Sequence, residues 1–158
     1  MLPLTVHAQK IAGDFELGLG VAYGFDIAAD GEMGMNTNLY YSVTDEIRVG
    51  ADFIYYLLND PQFQDPRFYE LNLNANYHFV NQEVLRMYLL LGMHYASFSY
   101  ETPVIRVDAS TISDSEIGLN AGGGIELNFD SIILFAEPKL TVNGYDQFSV
   151  TVGGRFFF

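Results

Sequence analysis

The residues best suited to chemistry are charged side chains that recur two positions apart, such as Glu137 and Lys139. In an extended strand, residues two apart point to the same side. The charged residues assigned to one polar face are Asp14, Glu16, Asp52, Glu70, Glu116, Glu126 and Glu137, with Arg48, Arg86, Lys139 and Arg155. If this face is buried, its opposite charges must pair with one another.

Antiparallel neighbours predict which charges meet. The expected contacts are Arg155 with Asp14 or Glu16, Glu70 with His94, His78 with Arg86, and Glu137 and Lys139 with Asn120 and Gly122. Such an ion-pair network could be a gate that opens a narrow polar pore, or a fixed polar core. A fixed core is favoured, because the narrowest barrels are filled by their own side chains. The Glu70–His94 pair could also titrate near neutral pH.

No cofactor or metal is expected. The sequence has no cysteine, which excludes disulfides and thiolate metal sites. Two histidines among scattered carboxylates do not form a metal motif. The glycine run at 122–124 lies inside a predicted strand and does not open a helix, so it is not a nucleotide-binding loop.

Composition narrows the class of protein. The 158 residues are 49% hydrophobic and 17% charged, with a net charge of −13, which argues against nucleic acid as a partner. Aromatic residues make up 15% of the chain, which argues against disorder. No apolar run approaches the roughly 20 residues of a membrane-spanning helix.

The apolar residues instead alternate with polar or small ones. From Asp14 to Phe25 every second residue is large and apolar, which is the period of a strand. The pattern recurs seven more times, and the predicted connections alternate between short turns and longer loops at 26–32, 58–68, 98–115 and 143–147. This arrangement predicts an all-β fold, a closed eight-stranded antiparallel up-and-down transmembrane barrel.

The glycines indicate which face is inside. Ten of the fifteen lie on the polar face, and glycine suits a crowded interior but would only weaken strands on a wet outer surface. The apolar face should therefore contact lipid, although a soluble barrel with an apolar interior also alternates. Aromatic residues fall in two bands, as at two lipid–water interfaces. The predicted strands at 117–127 and 132–142 contribute few residues to these bands, so lipid or a second copy could cover that side.

Three segments resemble the small eight-stranded outer-membrane barrels of the OmpA/OmpX type. They are the glycine-rich IGLNAGGGIEL, then LFAEPKL, and the final TVGGRFFF. In the last segment, Thr151, Gly153, Phe156 and Phe158 resemble the C-terminal signal that the outer-membrane assembly machinery recognises. No peptidoglycan-binding domain is expected after the eighth strand. Pro138 cannot donate to a strand ladder, so a bulge or local edge is expected there.

The resemblance implies export to a bacterial outer membrane with both termini in the periplasm. Residues 1–8 end in a pattern similar to a cleavage site and are interpreted as a signal-peptide remnant, with the barrel domain over 9–158. A frayed N-terminus is the alternative. Outer-membrane lipid and lipopolysaccharide are the expected surroundings.

The favoured function is structural, with surface interactions through acidic loops and a partner at loop 98–115. Simple solvation of the loops and divalent-cation binding are the other interpretations of their charge. A small gated pore ranks second. A lipid A-modifying enzyme ranks third, because the outward face offers Ser97 but no histidine, so the chain is not expected to be an enzyme.

Overall fold

The computed structural model describes residues 12–25, 31–58, 64–102, 110–129 and 131–158. They form eight antiparallel strands, each paired with the next, and the last pairs with the first to close a barrel. The predicted fold class is confirmed. The strands are β1 (Phe15–Gly24), β2 (Glu32–Ser42), β3 (Ile47–Tyr56), β4 (Gln64–Asn81), β5 (Leu85–Thr102), β6 (Ser110–Phe129), β7 (Ile132–Val142) and β8 (Gln147–Phe157).

Burial follows the two-residue period of each strand. In β1, Leu17 and Leu19 are exposed on the outer surface, whereas Glu16 is buried inside. In the other strands most large apolar side chains are likewise exposed outside and the charged side chains of the barrel wall are buried inside, although some apolar side chains, such as Ile54 and Leu90, are also buried. Such an outer surface suits lipid and not water. The soluble barrel, which needs the apolar face inside, is therefore excluded.

Three neighbouring strands are much longer than the others. β4, β5 and β6 have 18, 18 and 20 residues, whereas the remaining strands have 10 or 11. Their extra residues at 64–68, 97–102 and 110–116 form a three-stranded sheet that extends past the barrel, called the arm below. Pairing between β5 and β6 continues to Thr102 opposite Ser110.

The predicted loops 58–68 and 98–115 are therefore wrong at their edges. Residues 64–68, 98–102 and 110–115 are strand. In its β5 and β6 parts the arm alternates serine with aromatic or acidic side chains, as at 97–100 and 113–116, and this weakly apolar pattern does not predict a strand. Residues 103–109 lie outside the described part of the chain.

The opposite end of the barrel has tight turns. Between β2 and β3, the hydroxyl of Thr44 accepts hydrogen bonds from the backbone N–H groups of Glu46 and Ile47. Val43 N–H bonds to the carbonyl of Ile47 at 2.9 Å. These bonds satisfy the backbone where the chain reverses.

Two ladders are irregular. The β4–β5 register shifts by one residue between His78 and Val80, which is a β-bulge. Opposite Pro138 the β6–β7 ladder lacks the pairs of Gly123 and Gly124, but the register is the same on both sides of the gap. The expected bulge at Pro138 is thus an interruption without a register shift, since proline lacks an N–H donor.

Candidate functional site: the barrel interior

The charged side chains inside the barrel are shielded from solvent. Arg48 is 0% exposed and Arg155 is 1% exposed, and Glu126 is as buried as Arg48. The other sequence-predicted residues that the structure places in the interior are Glu16, Asp52, Glu70, Arg86, His94, Glu137 and Lys139. Asp14 is only half-buried, at the end of the barrel that holds the short turns.

Three arginines and three glutamates form a layer nearer the short turns. Arg48 bonds to Glu16 and lies 2.8 Å from Glu126. Arg155 donates to Glu126 at 2.5 Å and to Glu137 at 3.3 Å. Arg86 lies 3.7 Å from both Glu16 and Glu126. This arginine layer has no net charge, and each guanidinium faces at least one carboxylate.

Aromatic rings are packed between these charges. The guanidinium of Arg155 lies 3.8 Å from the ring centre of Phe135 and 5.0 Å from that of Tyr40. The guanidinium of Arg48 lies 4.4 Å from the ring of Tyr40, within cation–π range. Tyr88 donates its hydroxyl hydrogen to Glu137. These rings occupy space that would otherwise need water.

Two glycines make room for the inward rings. A Cβ on Gly124 would overlap the ring of Tyr88, and one on Gly50 would overlap the ring of Tyr40. The sequence showed glycines on the inner face but not which rings they accommodate. Inward aromatics interrupt an otherwise polar face, so they were missed as interior residues.

An amide-rich layer lies beyond the arginines toward the arm. Asp52 accepts hydrogen bonds from Asn72 at 2.9 Å and Asn74 at 2.5 Å, and Lys139 lies 3.5 Å from it. Asn120 donates to Asn72 at 2.7 Å. Asn120 was expected on the inner face, but the asparagines of β4 were missed, although Asn72, Asn74 and Asn76 alternate visibly along that strand.

Glu70 and His94 lie together in this layer, at the side nearest the arm. His94 Nδ1 is 3.9 Å from a Glu70 oxygen and 3.1 Å from the side-chain oxygen of Asn72. The other Glu70 oxygen accepts a hydrogen bond from Gln147. The structure therefore brings this sequence-predicted pair into proximity.

An apolar cluster covers the interior at the arm end. Ala22, Ile54, Tyr56, Phe68 and Ala96 pack together there and are buried. This apolar cap was also missed. The sequence does contain a pattern that predicts the cap, because the inward positions near the ends of several strands change from polar to apolar side chains.

The structure corrects the expected position of Arg155. It bonds to Glu126 and Glu137 and not to Asp14 or Glu16. Its strand pairs with β1 in a register that sets Arg155 opposite Gly18, and Gly18 leaves its side chain free to reach across the barrel. A Cβ on Gly18 would lie 2.7 Å from Cγ of Arg155.

Other expected contacts differ in detail. His78 lies 3.7 Å from Glu126, the same carboxylate that Arg86 approaches. Lys139 is opposite Gly122 as expected, but Asn120 is opposite Thr141. Glu116 is exposed on the arm, where it accepts a hydrogen bond from the Tyr145 N–H at 2.9 Å. It is not an interior residue.

The residues of the C-terminal segment divide between the two faces. Thr151 and Gly153 point inward, and a Cβ on Gly153 would lie 2.9 Å from the ring of Phe135. Phe156 and Phe158 are exposed on the outer surface. The backbone of Phe158 exchanges two hydrogen bonds with that of Phe15, which completes the closure of the barrel.

The described residues contain no group of three or more His, Asp or Glu side chains placed to hold a metal ion. Over the same ranges, no helix is long and apolar enough to cross a membrane.

Solved structures show the same architecture. OprG, an outer membrane protein of Pseudomonas aeruginosa, matches with a TM-score of 0.70 and 13% identity over 94% of this chain and 97% of that one. The N-terminal β-barrel domain of OprF from P. aeruginosa matches at 0.69 and 18%, over 94% and 100%. Ail, the attachment invasion locus protein of Yersinia pestis, matches at 0.65 and 16%, also over 94% and 100%.

No protein-family model and no curated protein sequence matches the chain. At these identities the structural matches establish the fold. The chain has the closed, eight-stranded transmembrane barrel fold of the small outer-membrane proteins, the group that its sequence resembles.

Proposed function

We propose that the protein is an integral outer-membrane barrel with a structural and surface-interaction role, and that it does not conduct. The observation that supports this most directly is the burial of the interior charges. The lining of a water-filled pore would be accessible to solvent, whereas Arg48, Glu126 and Arg155 are almost completely inaccessible. A barrel this narrow is expected to have its interior filled by side chains, here by ion pairs, aromatic rings and amides.

The apolar cap supports the same proposal. Any ion leaving the arginine layer toward the arm would have to pass Ile54, Tyr56 and Phe68, which are packed against one another. Moving a charge through an apolar constriction is costly, because the charge loses its hydration. The cap therefore opposes conduction even if the ion pairs rearrange.

The proposed orientation has both termini and the short turns in the periplasm and the arm outside the cell. The barrel would be surrounded by outer-membrane lipid and lipopolysaccharide after insertion by the assembly machinery. The arm and the neighbouring 143–146 turn supply the outer surface. Their described charges are Asp65, Glu101, Asp114, Glu116 and Asp146 against Arg67.

This acidity indicates the kind of surface partner to expect. Ail has been solved in complex with a heparin analogue, sucrose octasulfate, which is a polyanion. The acidic arm would repel such a ligand. A partner at 98–115 is therefore expected to present a basic surface.

Single-channel recording in planar bilayers tests the proposal. We expect no steady conductance from the folded wild-type protein at any pH between 5 and 9. Arg155→Ala and Glu137→Ala disturb the arginine layer, and Arg67→Ala is the matched control on the arm. Steady wild-type channels that change in the first two variants but not in the control would contradict the proposal and favour the gated pore.

The chain is also proposed not to be an enzyme. Ser97 is buried and not exposed on the lipid-facing surface, and the described histidines, His78 and His94, lie inside the barrel, whereas a serine nucleophile would need a base beside it. Lipid A extracted from cells with and without the protein should have the same mass profile. A modified lipid A species that appears only with the protein would reverse this conclusion.

A further inference from the structure

The buried charges of the described interior do not balance. Five carboxylates are buried, namely Glu16, Asp52, Glu70, Glu126 and Glu137, against the four cations Arg48, Arg86, Lys139 and Arg155. The arginine layer accounts for three of each sign. The amide-rich layer thus has two carboxylates, Asp52 and Glu70, but only one permanent cation, Lys139.

Glu70 is the carboxylate that lacks a permanent positive partner. Lys139 lies 3.5 Å from Asp52 and so pairs with that carboxylate. Among the described residues, His94 is the one group within 4.0 Å of Glu70 that can carry a positive charge, and its Nδ1 lies 3.9 Å from a Glu70 oxygen. The remaining neighbours of Glu70 are the Gln147 amide and the phenol of Tyr56.

A buried carboxylate without a countercharge is strongly unfavourable. Glu70 is completely buried, and its hydrogen-bonding neighbours, the Gln147 amide and the Tyr56 phenol, carry no positive charge. His94 is likewise buried, and its ring hydrogen-bonds to neutral groups, the Asn72 side chain and the backbone of Gly144. A proton held by either member would restore the balance.

We infer that Glu70 and His94 together form a binding site for one proton, which makes the barrel interior electrically neutral. The proton belongs to the pair and not to either residue, as is usual for coupled groups. The charged groups that face the pair are Asp52 from β3 and Lys139 from β7, and Tyr56 is the titratable neighbour from β3.

The second buried histidine provides a contrast. His78 lies 3.7 Å from Glu126, but Glu126 already faces Arg48, Arg86 and Arg155 within 4.0 Å. That carboxylate needs no further positive charge. The inference therefore concerns His94 and not histidines in the interior generally.

The proton site makes stability depend on pH in a defined direction. In the unfolded chain a free imidazole releases its proton at about pH 6.5. If the folded pair keeps its proton above that pH, the folded state binds more protons than the unfolded one. The unfolding equilibrium then shifts toward the unfolded state by up to about tenfold per pH unit as the pH rises.

Equilibrium urea unfolding of the refolded protein in detergent micelles, from pH 6 to pH 10, tests the inference. Stability of the wild type should fall as the pH rises, and Glu70→Gln should remove that one-proton dependence because its amide needs no countercharge. Glu101→Gln removes a carboxylate from the arm and should leave the dependence unchanged. Identical pH slopes in the wild type and Glu70→Gln would overturn the inference.

Two further measurements keep the test decisive. If Glu70→Gln does not fold, His94→Gln serves as the second variant, because it leaves Glu70 as the sole proton site. The stability of His94→Gln should then depend on pH differently from that of the wild type. An unchanged pH curve would refute a site shared by the two residues. Repeating the wild-type series in sodium chloride and in choline chloride distinguishes a proton from an inorganic cation. Stability that follows sodium at constant pH would also overturn the inference.

Discussion

At the scale of single residues, Arg155 tests how strongly the arginine layer holds the barrel together. Arg155→Met removes a guanidinium that bonds to Glu126, Glu137 and Asn38 and leaves buried carboxylates short of a partner. Breaking a buried pair in this way costs about 3–5 kcal/mol. Urea unfolding in micelles should show a loss of this size.

Arg67→Met is the control for that experiment. Arg67 pairs with Asp65 at 2.5 Å, but its side chain is 57% exposed, and exposed pairs contribute about 0–1 kcal/mol. If both variants lost the same small amount of stability, the interior would be hydrated and the ion pairs would not be structural.

Sequence reasoning identified the type of interior residue better than its partner. The charged positions of β1, β3, β7 and β8 follow from alternation alone, because a two-residue period fixes the face. The partner of Arg155 does not, since a long side chain crosses a narrow barrel and bypasses its neighbours in the sheet. Rings such as Tyr88 were missed because an aromatic residue is expected on the lipid face.

At the scale of elements, the β7–β8 turn holds the arm through Tyr145. Its hydroxyl donates to Asp114 at 3.1 Å and its ring centre lies 5.4 Å from that of Phe68. Burial, reinforced by the hydrogen bond to Asp114, raises the pKa of Tyr145 to about 12. The phenol of an unfolded chain ionises near pH 10.

The raised pKa fixes the sign of a pH effect. Because the folded value exceeds the unfolded one, the stabilising contribution of Tyr145 is complete below about pH 10 and is lost as the pH rises toward the folded pKa. The difference between the ultraviolet titrations of the wild type and Tyr145→Phe isolates this phenol. In Asp114→Asn its midpoint should move down, and an equal midpoint with and without the Asp114 charge would refute the contact.

The strands themselves could be predicted, but their lengths could not. Strong alternation of large apolar and small residues marks the part of each strand that faces lipid, because lipid demands an apolar side chain at every second position. The arm leaves the membrane, where that demand ends. Pairs such as Ser99 with Ser113 then continue the register that β5 and β6 already have in the barrel wall, where burial of one face fixes it.

At the scale of the whole molecule, charge is sorted by location. The chain has a net charge of −13, yet the outward positions of the described membrane-spanning strands hold no charged residue. The interior charges pair, and the described arm is acidic. An uncharged lipid-facing surface follows from the cost of placing Asp or Arg against hydrocarbon, so this sorting was predictable from alternation.

Phe158 belongs to the segment that is proposed to carry an assembly signal. Phe158 is 73% exposed and its ring centre lies 6.3 Å from that of Phe15, while the closing hydrogen bonds to Phe15 are made by the backbone. The side chain is thus largely exposed, as the proposed recognition by the assembly machinery requires. Phe158→Ala should lower the folded fraction in cell membranes severalfold, yet refold in micelles nearly as well as the wild type.

Phe129→Ala is the matched control, since Phe129 is also exposed and lies at the same end of the barrel. The measurement is the share of unboiled protein that migrates as a compact species in SDS gels, from cell membranes and from purified, refolded samples. Loss only in cells and only for Phe158→Ala assigns the ring to assembly. Loss in both samples would show instead that the ring is needed to close β1 against β8, because assembly factors are absent from the refolded protein.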